Sequence, residues 1–208
     1  MADEKNVSEE VDITEELDIT EEIIDNRKEK KDKKNKKKMN PVLEWVLVIV
    51  IAVAAALFIN FVIIINSTVP SGSMENTIMT GSRMFGLRLT YLFEEPQRGD
   101  IVVFKYPDDE SVSYVKRIIG LPGETVEIIQ GVTYINGEAL DEPYLKETPA
   151  KRDYGPYVVP EGCYFMMGDN RNNSKDSRYW ENTFVAKEKI LGKALFVYWP
   201  LDKIGAIK

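Results

Sequence analysis

The sequence predicts a mainly antiparallel β-sheet domain with a smaller β excursion, preceded by one transmembrane helix. After residue 66, short runs of β-branched and aromatic residues alternate with turn residues, which is typical of sheets built from hairpins. No stretch of that part shows a long 3.6-residue periodicity. Ahead of it lies a run of about 21 mostly apolar residues, which is long enough to span a bilayer as a helix.

Seven segments carry the strand pattern, and short turn sequences separate them. Asn136-Gly137 is the strongest hairpin signal, because both residue types accept the positive φ of a tight two-residue turn. Residues 136–160 indicate a looser connection, and 181–190 could hold a helical turn. The predicted strands are 101–104, 114–119, 125–129, 132–135, 157–159, 163–167 and 194–199.

Residues 45–65 are apolar except for Asn60 and predict a membrane anchor. Nine of the twelve residues from Arg27 to Lys38 are Lys or Arg. Such a cluster beside a span marks the cytoplasmic side and can attract anionic lipid head groups. We therefore expect a single-pass protein of the cell membrane, with a cytoplasmic amino terminus and the remainder on the outer face.

A cleavable secretory signal is the alternative to an anchor, because Ala52 to Ala56 is similar to a cleavage site. The apolar run, however, continues past these alanines to Ile65. Cleavage would then have to occur inside the bilayer, so the pattern favours an uncleaved anchor.

Charge and hydropathy divide the chain into three predicted parts. Residues 1–41 form a tail, acidic to residue 26 and then basic, 42–66 form the anchor, and 67–208 form the extracytoplasmic β domain. Within that domain, about residues 125–160 are predicted to form a variable excursion. The tail has too little apolar surface to offset its ordering entropy, so we expect disorder; an acidic docking segment for a cytoplasmic partner is the alternative. The net charge of −7 would argue against a nucleic-acid partner, but it is an average over an acidic, a basic and a nearly balanced segment. The position of the basic run just before the apolar span is what favours lipid over nucleic acid as its partner.

The residue counts exclude several kinds of site. The chain has no histidine, which rules out Ser-His-Asp and Cys-His catalysis and every zinc site that uses histidine. Cys163 is the single cysteine, so no intrachain disulfide can form, and we expect it to pack as a small core residue. We expect neither a cofactor nor a metal.

Ser71 and Ser73 are candidate nucleophiles, because they flank a glycine just after the apolar run. A serine hydroxyl needs a base, and without histidine the candidates are Lys, Asp and Glu. A lysine can act as the base only if burial lowers its pKa towards about 7–8. Lys116 has the expected signature, because it lies within an apolar strand.

Lys116 and Arg117 point to opposite faces of that strand. We expect one of the two charges to face the core and the other to face outward, and both faces carry apolar residues. Ser113 and Lys116 also match the Ser-x-x-Lys motif of penicillin-recognising enzymes. That motif opens a helix, whereas positions i and i+3 of a strand lie on opposite faces, so we reject the match.

A third block, from Met166 to Trp180, runs from an apolar strand into a loop dense in hydrogen-bonding side chains. It could be a structural loop that holds strands together. Asp176 would then form an ion pair with Arg178 or with Arg171.

These blocks together resemble the type I signal peptidases of bacteria, the membrane-bound Ser-Lys proteases that remove signal peptides. The resemblance covers about residues 42–200, and its motifs occur in the same order, after an anchor. The matching segments are Pro70–Met74, Arg98–Phe104, Tyr114–Glu124, Gly168–Arg171, and Ser174, Asp176, Ser177 and Arg178.

The resemblance implies that Ser73 is the nucleophile and Lys116 the general base. It implies an oxyanion hole made by the Ser71 hydroxyl and the Ser73 backbone N–H. Ser174 would orient the Lys116 amine, and Asp176 and Arg178 would order the loop. The family fold is mostly antiparallel β with a variable excursion before the last block. The implied partners are the signal peptides of exported preproteins, with small residues at the first and third positions before the cut, and the lipid bilayer.

The sequence departs from the family pattern at two positions. Asn76 stands where the family often has proline, which alters loop stiffness more than chemistry. Asn172 stands where many relatives carry Asp, so one salt bridge of the loop is in doubt. Residues 91–93 and Met79 could touch lipid or pack in the core.

Other functions fit the sequence less well. A self-cleaving regulator of the LexA type shares the Ser-Lys chemistry but needs a DNA-binding module where this chain has its apolar run. A membrane-anchored scaffold that binds preproteins without cleaving them needs neither Ser73 nor Lys116, and both are present. A sortase would need histidine.

Overall fold

The computed structural model describes residues 40–208, so the predicted acidic and basic segments up to Lys38 lie outside the described residues. Among the described residues, one helical stretch, Pro41–Ile63, is long and apolar enough to cross a membrane, with mean hydropathy 3.1. It consists of α1, Pro41–Phe58, and a π-helical turn, Ile59–Ile63. Residues 40–53 belong to one compact unit, and Ala54–Lys208 form a second.

The helical stretch ends at Ile63, three residues before the predicted end of the anchor. Residues 64–66 instead open strand β1, Ile64–Thr68, in which Ile65 is buried opposite Gly86. The side chains that looked like the end of the span therefore belong to the β unit. A short apolar strand cannot be told from the end of an apolar helix by hydropathy alone.

Twelve strands and a short helix make up the secondary structure from Ile64 onward, with 3-10 turns between them. The first 3-10 turn, Gly72–Met74, holds Ser73, and the short helix α2 is Thr90–Phe93. The strands after β1 are β2 Arg83–Leu87, β3 Ile101–Tyr106, β4 Asp109–Gly120, β5 Thr125–Ile129, β6 Val132–Ile135, β7 Glu138–Ala139, β8 Tyr154–Val158, β9 Cys163–Met167, β10 Val185–Ala186, β11 Ile190–Trp199 and β12 Gly205–Ala206.

The strands form two antiparallel sheets. The larger has the order β1-β2-β11-β3-β4-β9-β10, with β12 paired to β11. The smaller has the order β7-β6-β5-β8 and is inserted between β4 and β9. β4 lies between β3 and β9, so residues in its middle have sheet neighbours on both sides.

Three buried apolar clusters hold these sheets together. One, including Met74, Ile78 and Met84, packs the turn that carries Ser73 against the larger sheet. A second centres on Phe104 and Trp180. The third joins the two sheets and contains Ile119, Val126, Ile128, Ile135, Val159, Phe165 and Met167. The smaller sheet is therefore anchored to the larger one by a shared apolar core.

The prediction of a mainly antiparallel β domain with a smaller β excursion after one apolar helix is confirmed. The strands β5, β6 and β9 have the predicted bounds. Residues 181–190, which could hold a helical turn, contain β10 and one 3-10 helical turn, Lys187–Lys189. Cys163 is half-buried and packs against the third cluster.

Candidate active site

Ser73 lies in a turn that is packed against the apolar core. Ser71 is extended, with φ −120° and ψ 156°, and Gly72–Met74 form a single 3-10 turn. The Met74 side chain is fully buried, and it anchors the turn in the first cluster. Ser73 is 6% exposed, and its Oγ lies 3.3 Å from the Ser71 hydroxyl.

Lys116 reaches this turn from the middle of β4, where it lies opposite Val102. Its Nζ donates to Ser73 Oγ at 2.7 Å and to the Val115 carbonyl at 3.2 Å. The residue is 4% exposed. Burial lowers the pKa of Lys116 from 10.5 to about 8, and this effect outweighs the nearby carboxylates of Asp176 and Asp169. The two residues predicted to react are thus within hydrogen-bond distance, and burial favours the neutral form of the amine.

Arg117, the next residue, is buried on the opposite face of β4, so the prediction that one of the two charges faces outward is wrong. Its guanidinium donates to both oxygens of Asp169, at 2.9 and 2.7 Å, and lies over the Tyr144 ring at 3.9 Å. The sequence could not show this, because the smaller sheet and its connections cover a face that would be exposed on an isolated sheet.

The loop after β9 lies directly against the serine turn. A Cβ on Gly168 would be 2.4 Å from the Ser73 carbonyl oxygen and 2.3 Å from Ser174 Oγ, so only glycine fits there. Asp176 accepts from the Gly168 N–H at 3.1 Å and pairs with Arg178, whose Nε and Nη2 each lie 2.8 Å from its oxygens. Of the two arginines predicted as alternatives, Arg178 and not Arg171 forms the ion pair with Asp176.

Arg171, the other candidate partner of Asp176, instead pairs with Glu142, which lies between β7 and β8. It also donates to the Thr133 hydroxyl at 2.9 Å. Asn172 accepts from the Ala150 N–H at 2.7 Å and donates to Glu147 at 3.0 Å. Hydrogen bonds with the excursion thus hold the loop at this position.

Ser174 does not make its predicted contact in this structure. It is 8% exposed, and its hydroxyl has no hydrogen-bond partner among the described residues, the Lys116 amine included. Its place beside Gly168 brings it next to the serine turn. Its role in orienting the amine stays a prediction.

Asn170 contacts the serine turn and Glu142 pairs with Arg171 of the adjoining loop, although no role was predicted for either. Asn170 donates from its backbone to the Ser73 carbonyl at 3.0 Å and from its side chain to the Gly72 carbonyl at 2.9 Å. Asn170 lies in the matching Gly-Asp-Asn-Arg block, which could have drawn attention to it. Nothing in the sequence connects Glu142 to that block.

A groove of about 420 Å³ runs past the serine turn. It is lined by residues of the segment 67–71, by residues 112–116 of β4, and by Asn173 and Lys175. Ser73 and Lys116 both line it.

Within residues 40–208, no group of His, Cys, Asp and Glu is arranged to hold a metal ion. The apolar side chains of Leu92 and Phe93 are exposed, so neither packs in the core.

This arrangement, a serine and a buried lysine in a groove, can perform acyl transfer without histidine or metal. The family model described as "Signal peptidase, peptidase S26" matches residues 42–199. A signal peptidase I of Bacillus licheniformis is 40% identical over 176 residues, which are 80% of this chain and 94% of the relative. Signal peptidase I S of Bacillus subtilis is 43% identical over 177 residues, again 80% and 94%.

Two further similarities are less complete. "Probable signal peptidase I-2" of Synechocystis is 44% identical over 144 residues, 67% of this chain and 65% of the relative. A crystal structure of a signal peptidase I from Enterococcus faecalis is 39% identical, with a TM-score of 0.42, and covers 48% of this chain and 97% of that one. The family match over most of the chain, with its Bacillus relatives, shows that this chain belongs to the type I signal peptidases of peptidase family S26, serine proteases that remove signal peptides.

Proposed function

We propose that this chain is a membrane-anchored endopeptidase that cleaves signal peptides with a Ser73–Lys116 dyad. One observation carries the proposal: Lys116 Nζ lies 2.7 Å from Ser73 Oγ, and both residues are buried, in a chain without histidine. Lys116 is the ionisable group bonded to the Ser73 hydroxyl, and burial lowers its pKa, so it can serve as the base.

The magnitude of the pKa change supports lysine as the base. With its ordinary pKa of 10.5, about 0.03% of the amine is neutral at pH 7; with a pKa of about 8, roughly 9% is neutral. The reactive form is therefore about 300 times more abundant, at a cost in folding stability.

In the proposed reaction, neutral Lys116 takes the proton of the Ser73 hydroxyl as Oγ bonds to the scissile carbonyl carbon. The carbonyl oxygen becomes an oxyanion, which accepts from the Ser71 hydroxyl and the Ser73 N–H. Collapse breaks the peptide bond, and the ammonium gives its proton to the leaving amine. The acyl-enzyme is released by a water that the same amine deprotonates.

The proposed substrate is an exported preprotein with small residues at the first and third positions before the cut, as in the family that the chain resembles. The groove supports binding of an extended peptide, because segment 67–71 and residues 112–116 of β4 both line it.

We also propose that the predicted anchor holds the enzyme at the membrane, with the β unit on its outer face and the amino terminus in the cytoplasm. The support is the apolar helical stretch Pro41–Ile63 and the basic run before it. Ser73 follows Ile63 by ten positions, so the site cannot lie far along the chain from the membrane. A preprotein held by its own apolar segment would be presented there at high effective concentration.

Replacement of each dyad residue tests the proposal. Ser73→Ala and Lys116→Ala should each abolish cleavage of a preprotein reconstituted in vesicles, with a folded protein by circular dichroism. Lys116→Arg should be inactive too, because a guanidinium does not lose its proton. The matched control is Ser111→Ala, an exposed serine of the same strand that bonds only to Asp109. Cleavage by purified Ser73→Ala protein would refute the dyad.

A further inference from the structure

The peptide group that joins Gly72 to Ser73 is held at one end only. Its carbonyl oxygen accepts from the Asn170 side-chain amide at 2.9 Å and from the Glu75 N–H at 3.2 Å. Its N–H, on Ser73, makes no hydrogen bond with any described residue. A trans peptide is planar, and its C=O and N–H point in opposite directions. Whatever fixes the carbonyl therefore aims the N–H.

We propose that Asn170 is a positioning residue of the oxyanion hole, because its side chain adds the shorter of the two hydrogen bonds that hold the Gly72 carbonyl and so helps to fix the direction of the Ser73 N–H. This inference rests on the proposed function of Ser73 and deepens it. The N–H and the Ser71 hydroxyl are the two donors assigned to the oxyanion, and the hydroxyl can rotate freely whereas the N–H cannot.

The Asn170 side chain can make this contact in one orientation only. A carbonyl oxygen accepts hydrogen bonds and donates none, so the amide nitrogen must face Gly72. The amide oxygen then points elsewhere, and it is buried without a partner among the described residues. Asn170 is 2% exposed. A buried acceptor without a partner is unfavourable for folding, so the side chain is poorly explained by stability alone.

The Asn170 backbone is held on both sides. Asp169 before it is paired with Arg117, and Arg171 after it is paired with Glu142, and all four side chains are buried. The Asn170 N–H also donates to the Ser73 carbonyl at 3.0 Å. That backbone bond does not depend on the side chain, so replacement of Asn170 leaves the serine turn docked on the loop and removes only the contact with Gly72.

Asn170→Ala tests the inference in the full chain, in detergent micelles. An oxyanion donor acts in the transition state, so kcat should fall about 10- to 100-fold, while KM stays within about twofold. The affinity of a peptide boronic acid, whose tetrahedral adduct places an oxygen in the same hole, should fall by a similar factor. Binding of a non-cleavable peptide, the pH at which kcat is half-maximal and the thermal unfolding midpoint should not change.

Asn172→Ala is the matched control, because this exposed asparagine of the same loop bonds to the excursion and not to the serine turn. Asn170→Asp, which replaces the donor with oxygen, should lower kcat at least as much as Asn170→Ala. An unchanged kcat in Asn170→Ala, with an inactive Ser73→Ala, would overturn the inference and leave the dyad standing. Loss through KM, a displaced pH profile or a lowered unfolding midpoint would also overturn it, and an active Ser73→Ala would overturn the dyad itself.

Discussion

Burial of the Lys116 amine should destabilise the fold, and Lys116→Met should recover that stability while it abolishes catalysis. Methionine has nearly the length of the lysine stem and fills the same space without an ionisable group. Lys116 is 4% exposed, and the hydrogen-bond partners of its amine are Ser73 Oγ and the Val115 carbonyl. Those two neutral oxygens replace the water that an ammonium group prefers.

The size of the effect follows from the pKa. The difference between 10.5 in the unfolded chain and about 8 in the folded protein corresponds to about 3 kcal/mol, at about 1.4 kcal/mol for each pH unit. Below pH 8 the amine is protonated in both states, so the cost is complete. Between about 8 and 10.5 the unfolded chain binds a proton that the folded protein does not, so the free energy of unfolding rises with pH. Above about 10.5 the cost is gone.

Lys116→Met should therefore raise the free energy of unfolding at pH 6–7 by about 2–3 kcal/mol. This gain is smaller than the full cost of burial by about 1 kcal/mol, because the Ser73 hydroxyl loses its hydrogen bond with the Lys116 amine. The gain should shrink as pH rises past about 8 and disappear, or change sign, near pH 10.5. Chemical unfolding of the full chain in detergent micelles at several pH values measures both curves.

The control is Lys105→Met on the neighbouring strand β3, where the side chain is half-buried and makes no ion pair with a described residue. It should not show a pH-dependent gain. A lower stability of Lys116→Met than of the unmodified protein at pH 6, or a difference between the two that is the same at every pH, would show that burial of the amine does not destabilise the fold.

The other predictions concern the rate, the loop and the buried ion pair. The rate of cleavage should rise about tenfold per pH unit below about 8 and level off above, because only the neutral amine accepts a proton; a flat profile from pH 6 to 9 would contradict this. Gly168→Ala should lower kcat/KM by about 100-fold, since its Cβ would lie 2.4 Å from the Ser73 carbonyl and displace the turn. Asp169→Asn should lower the free energy of unfolding by about 3–5 kcal/mol by leaving Arg117 buried without its partner. The surface control Glu110→Gln should lower it by less than about 1 kcal/mol, and equal losses would argue against burial as the cause.

The sequence by itself determined the fold class and indicated candidate residues for the chemistry. A chain without histidine has few residue types that can activate a serine. A lysine within an apolar strand is an unusual feature, and it therefore indicates a candidate base. Turn residues and β-branched runs located the strands β5, β6 and β9, because hairpins are local structures. The length and hydropathy of residues 45–65 predicted the helix to within a few residues.

Only the tertiary structure decided which groups meet. It placed Lys116 beside Ser73, 43 positions away in the chain, and buried Arg117 against Asp169 instead of exposing it. In the fold, Asp176 forms an ion pair with Arg178, and Arg171 forms one with Glu142. The Asn170 side-chain amide donates to the Gly72 carbonyl. Local patterns give the direction of a side chain along its own strand, whereas burial and pKa depend on what other segments pack over that side chain.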